Sequence, residues 1–250
     1  SDWSSDVCSS DLNKLLRKLF AMSNSKSLLS VSSIKEEFSP DAKNLYLLFG
    51  GIDEQMAMPR FEFYNSAKIL HENKIFFRDP YQCWYQNGLP GIGKDVYEVS
   101  RFIGKRIEDL NPQNVYFVGF SMGGFAAIMF SALTGRGEAI AFSTRTSIDP
   151  FFLLKIHDPR HKKQVLKTYF YSWYKKRVWD LKALLQRSKN CPKVSLFVSK
   201  NHAFDFMQAK RLDGLDHVRL FLMDSTRHDI VRAFRDQGLL PVILSGKFNG

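Results

Sequence analysis

Val115-Tyr116-Phe117-Val118-Gly119-Phe120-Ser121-Met122-Gly123-Gly124 runs an apolar strand into a serine flanked by glycines, and a helical pattern opens at Phe125. This order predicts a strand, a tight turn and a helix, with Ser121 at the turn. Its hydroxyl would project toward a substrate, and the N-terminus of the following helix would stabilise developing negative charge. Small residues at Gly119 and Gly123 let strand and helix approach closely, and Gly124 relieves crowding where the helix crosses the sheet. The expected chemistry is attack by a serine on an acyl ester.

Working outward, Asn44-Leu45-Tyr46-Leu47-Leu48-Phe49 reads as a buried strand that exits at Gly50-Gly51-Ile52. A parallel strand ending in glycines exposes backbone N–H groups near a nucleophile. Met122 and either Gly51 or Ile52 are therefore the expected oxyanion donors. Lys74-Ile75-Phe76-Phe77 is the next strand, Arg78-Asp79-Pro80 a turn, and the segment 96–110 a helix. Asp79 is expected to cap its turn, with orienting a loop or touching substrate as its alternatives. Strands are also expected at 138–142, 194–198 and 217–223, and a weak one within the serine-rich stretch 23–33.

With 250 residues and 44% hydrophobic content, the chain supports one substantial core. Cys8, Cys83 and Cys191 are scattered, which fits neither a disulfide framework nor a zinc cluster. His157 and His161 stand four apart without a cysteine or carboxylate pattern, and Gly88 to Gly93 lacks the strand and spacing of a phosphate loop. No metal or other cofactor is expected. No apolar run approaches the ~20 residues of a membrane span, so the expected location is cytoplasmic. Residues 1–24 include a stretch resembling translated adapter sequence and are expected to be non-native or poorly ordered, leaving 25–250 as one domain.

The net charge of +11 is concentrated. Within about 151–190, eleven lysines and arginines face only Asp158 and Asp180, interleaved with Phe151, Phe152, Tyr169, Phe170, Tyr171, Trp173, Tyr174 and Trp179. This reads as a basic, aromatic helical cap inserted over the site, suited to an anionic or carbohydrate ester. No nucleic-acid module accompanies it, so nucleic acid is not an obligatory partner. Packing of the aromatics beneath a solvated basic face is the competing reading.

A serine nucleophile needs a base, and the base needs an orienting carboxylate. His228 follows the last strand and precedes the pattern Ile230, Val231, Phe234, which places it at a helix entry above the sheet edge. Asp205 lies in the loop after the 194–198 strand and is the preferred acid, with Asp224 as the alternative and capping of a helix near Phe206 as its other role. His71, His157, His161, His202 and His217 are weaker candidates for the base.

From Leu45 to Leu239 the chain resembles the α/β-hydrolase superfamily, on Ser121 in its elbow motif, Asp205 in the acid loop and His228 after the last strand. The resemblance implies a mostly parallel sheet in a three-layer α/β fold, a Ser–Asp–His order and no obligatory cofactor. It also implies a serine hydrolase acting on a small-molecule or carbohydrate ester. Acyl transfer through the same residues and a silent binding homologue are the alternatives. The region before Leu45 is poor in strands, so an early element is expected to be absent or an edge strand.

Overall fold

Among the described residues, seven strands build one sheet: β1 (Ile34–Glu37), β2 (Asn44–Phe49), β3 (Asn73–Phe77), β4 (Asn114–Phe120), β5 (Glu138–Phe142), β6 (Lys193–Ser199) and β7 (Val218–Met223). Their spatial order is β1-β3-β2-β4-β5-β6-β7; β1 runs antiparallel to β3, and the other pairs are parallel. This computed structural model describes residues 32–52, 63, 66–171 and 176–246. The segment 1–24 therefore lies outside the described residues, as do Trp173 and Tyr174 of the insertion. From Ser33 onward the described residues form one compact unit.

Alternation along the strands divides the core in two. Leu45, Leu47, Phe49, Val115 and Phe117 face one side, where they pack with α1 (Val96–Leu110), α2 (Met122–Thr134), α5 (Leu181–Arg187) and α6 (Ala203–Lys210). Tyr46, Leu48, Val118, Ile140 and Phe142 face the other, against α7 (Ile230–Asp236), α8 (Leu240–Leu244) and a 3₁₀ turn at Ser66–Ile69. The result is a helix–sheet–helix sandwich. Burying a phenylalanine or leucine in either layer stabilises the fold by about 2–3 kcal/mol.

The helices start where capping chemistry dictates. Asp95 accepts from the N–H groups of Tyr97 and Glu98 at 2.9 Å each, and α1 then runs to Leu110 as its apolar period predicts. Helix α2 is buried along nearly its whole length, consistent with a central helix rather than a half-exposed one.

The weak strand expected within 23–33 falls almost wholly outside the described residues; the first described strand is Ile34–Glu37, at the edge of the sheet. Its charged residues conceal the strand in sequence yet suit a sheet edge, and Glu36 takes a bidentate pair from Arg106 at 2.7 and 2.8 Å. The insertion supplies α3 (Pro150–Lys155) and α4 (Lys162–Tyr171) before α5. Leu153, Val165, Val178, Leu181 and Leu185 all join the main core, so much of its apolar content is packing, whereas Phe151 and Leu154 remain 73% and 75% exposed.

Candidate active site

β2 is followed in sequence by β3 on one side, and the chain then crosses back to β4 on the other. This reversal leaves a crevice at the carboxyl ends of β2 and β4, where open parallel sheets bind ligands. Ser121 leaves β4 there with φ 53° and ψ −116°, a conformation a serine adopts only when its surroundings hold it. Its N–H donates to Phe142 O at 2.9 Å, and its carbonyl accepts from the Thr144 hydroxyl at 2.8 Å. Glycine is required on both sides. A Cβ at Gly119 would stand 2.1 Å from Gly123 O, and one at Gly123 2.0 Å from Phe49 O.

The two partners of Ser121 arrive from the far half of the sheet. His228, in the loop after β7, places Nε2 3.2 Å from Ser121 Oγ. Its Nδ1 lies 2.6 Å from Asp205 Oδ2. Asp205 is the third residue of α6, which is capped by His202, so the acid does not cap that helix itself. Asp224, the alternative acid, instead accepts from Asn201 Nδ2 at 2.7 Å. Ser121, His228 and Asp205 thus form one hydrogen-bonded chain. In the tautomer with Nδ1–H on the carboxylate, Nε2 is the nitrogen that can accept the Ser121 proton.

Other charged groups that sequence reasoning did not assign surround this chain. Arg160, between α3 and α4, donates from Nη1 to Asp205 Oδ1 at 2.5 Å and grips Asp158 from Nε and Nη2 at 2.9 and 2.8 Å. Arg145, just beyond β5, places Nη2 3.1 Å from Asp158 Oδ1 and 2.6 Å from Arg160 O. Burial is the largest influence on Asp158 and opposes its ionisation, yet the Arg160 hydrogen bonds and Arg145 charge together hold its carboxyl below the ordinary range. Burial likewise disfavours a charged Arg160, but Asp158 and Asp205 outweigh it and raise the pKa of the guanidinium. Burial lowers the pKa of Arg145 despite Asp158. Position at a strand's carboxyl end was the available signal for Arg145, and the scarcity of acids in the insertion was the signal for Asp158.

His202, His228 and Asp205 present three possible metal-ligand atoms within 4.8 Å of one another. The 2.6 Å spacing of His228 and Asp205 is a hydrogen bond, and the Arg160 guanidinium on the other Asp205 oxygen repels a cation, so the geometry fits a proton network better. Burial lowers the pKa of His202 and favours its neutral form, and its Nδ1 accepts from the Asp205 N–H at 3.3 Å.

Ser121, Met122 and His228 line a cleft with Trp84 and Ser143. Arg145, Arg160 and His161 complete its wall around about 250 Å³ of space, mouth included. Met122 opens α2, so its N–H has no partner within the helix. Gly51 and Ile52 do not line this cleft among the described residues. They stand just past the contact of Gly123 with the end of β2, where Gly50 N–H is already bonded to Phe77 O at 3.0 Å. Asp79 is not at the site: its buried carboxylate accepts from the N–H groups of Tyr81, Cys83 and Tyr85 at 2.7–2.9 Å, orienting its loop.

No family model matches the sequence, and no curated protein matches it. Solved structures do match the fold. The capsule O-acetyltransferase of Neisseria meningitidis serogroup A superposes with a TM-score of 0.61 at 11% identity, over 86% of this chain and 92% of that one. The fluorophosphonate-binding serine hydrolase F of Staphylococcus aureus gives 0.54 at 18%, over 84% of each chain. A monoacylglycerol lipase of Paleococcus ferrophilus gives 0.51 at 14%, over 85% and 98%. The chain has the α/β-hydrolase fold.

Proposed function

We propose that this protein is a serine acyl hydrolase that works through an acyl-enzyme on Ser121. The reading rests above all on the continuous Ser121–His228–Asp205 hydrogen-bond chain at the elbow of this fold. His228 Nε2 takes the hydroxyl proton as Ser121 Oγ bonds to the ester carbonyl carbon. The imidazolium is held by Asp205 through Nδ1–H. Met122 N–H, at the cleft wall, stabilises the oxyanion. Collapse breaks the bond to the alcohol, which leaves with the proton from His228. Water, deprotonated by the same imidazole, then releases the acid.

The positive insertion favours a polar or anionic substrate. No helix among the described residues is long and apolar enough to cross a membrane. Acyl transfer to a sugar hydroxyl is the second reading, favoured by the likeness to the capsule O-acetyltransferase.

Turnover of 4-nitrophenyl acetate by wild type, Ser121→Ala and His228→Ala tests the proposal. Each variant is expected to lose roughly 10³-fold or more in kcat, and undiminished turnover in Ser121→Ala would overturn it. A sugar acceptor added to the wild type separates the two readings: an acylated sugar supports transfer, and free acetate alone supports hydrolysis.

A further inference from the structure

Two buried polar atoms on residues of the cleft wall have no hydrogen-bond partner among the described residues: Ser143 Oγ and Arg145 Nη1. Ser143 is 1% exposed and Arg145 6%. Leaving such groups unpaired is costly, and for a guanidinium N–H the cost is greater than for a neutral donor. The Arg145 guanidinium packs over the Trp84 ring, 5.7 Å from its centroid. The structural part of Arg145 is carried by Nη2, which holds Asp158 and Arg160 O. Ser143 is anchored by its backbone, with N–H on Phe197 O at 2.8 Å. It also takes φ 44°, a left-handed conformation that is strained for serine and collects at ligand sites.

The charges are layered. Arg145 and Arg160 line the cleft, whereas the carboxylates that balance them, Asp158 and Asp205, lie behind, with side chains 0% and 1% exposed. Among the described residues the cleft therefore shows cationic groups to a ligand and no carboxylate. A buried cation with a spare N–H and a hydroxyl without a partner, both on residues that line the same cleft, match an anionic oxygen.

We propose that Arg145 and Ser143 form a subsite for an anionic oxygen group of the substrate, a carboxylate or a phosphate, next to the ester that Ser121 attacks. This rests on the acyl-transfer chemistry proposed above and names its substrate class: an ester with a negative charge close to the acyl carbon. Arg145 Nη1 and Ser143 Oγ donate to that group. Arg160, already committed to Asp158 and Asp205, adds field without a direct bond.

Paired esters test it. Mono-4-nitrophenyl succinate against 4-nitrophenyl butyrate places a carboxylate on the acyl side, and an O-acetylated sugar phosphate against the O-acetylated sugar places a phosphate on the alcohol side. The measured quantity is the ratio of kcat/KM within each pair for wild type, Arg145→Gln and Ser143→Ala. In at least one pair the wild type is expected to prefer the anion tenfold or more, which also identifies the group. Arg145→Gln should lose at least tenfold of that preference, and Ser143→Ala about threefold. Because Ser143 Oγ has no partner, its loss leaves folding intact, and a thermal melt checks both variants. Ratios that do not change in Arg145→Gln would overturn the subsite, as would equal losses on both members of each pair, which would place Arg145 on the oxyanion or in folding alone. If no ester turns over, the acyl chemistry fails by itself. The subsite is then measured by calorimetric titration of inorganic phosphate and succinate into wild type and Arg145→Gln. Saturable binding weakened at least tenfold in the variant upholds the site, and no binding or equal binding removes it.

Discussion

Asp158 has no exposed side-chain surface and two guanidinium groups against it, and it is the residue through which the insertion grips the site. Its folded pKa lies below the ordinary carboxylate value, so its stabilising contribution is complete above about pH 4 and is lost as pH falls through the depressed value. Asp158→Asn leaves two buried cations short of a partner. At pH 7 it is expected to cost about 3 kcal/mol, or ~6–12 °C in Tm for a chain of this size. The difference from wild type should shrink as pH drops below about 4. Thermal melts from pH 7 to pH 3 check this, and a gap independent of pH would count against it. At the same scale, Ser121, His228 and Asp205 were legible because each sits at a position that the order of strands marks. Arg160 and His202 were not: their roles depend on loops from separate elements meeting in space, and nothing in their local sequence records the meeting, whereas Arg145 had only its place at a strand's carboxyl end to mark it. His202 looked like a bystander beside the acid loop until its cap on α6 brought it against Asp205.

Among the elements, the decisive contact is that of α2 with the ends of β2 and β4. Gly123→Ala would press a methyl group into Phe49 O, which neither backbone can vacate without opening the elbow. A loss of about 3 kcal/mol or more, or failure to fold, is expected. Gly104 provides the contrast. It lies within α1 with nothing within 4 Å of an added Cβ, so Gly104→Ala should raise stability by about 0.5–1 kcal/mol. Urea denaturation of the two variants checks both signs, and equal effects would mean that close backbone approach is not what Gly123 provides. Central elements were legible because apolar runs and glycine stops coincide with them, as in Asn44–Phe49 and Asn114–Phe120. β1 was not, because an edge strand needs no apolar face and its residues read as a charged loop.

For the whole molecule, the seven-stranded order places three distant stretches of chain above one crevice. Ser121 comes from the end of β4, Asp205 from the start of α6 and His228 from the loop after β7, and the insertion adds a cationic wall. The central claim is that Ser121 is activated by this arrangement. Labelling of the folded protein by a fluorophosphonate, read by mass spectrometry for the modified residue, tests it most directly. In such labelling the serine oxygen bonds to phosphorus and fluoride leaves. The account predicts one adduct, on Ser121, that is lost in Ser121→Ala and strongly slowed in His228→Ala. A folded protein that gives no adduct, or one that labels equally well without the Ser121 hydroxyl, would contradict it.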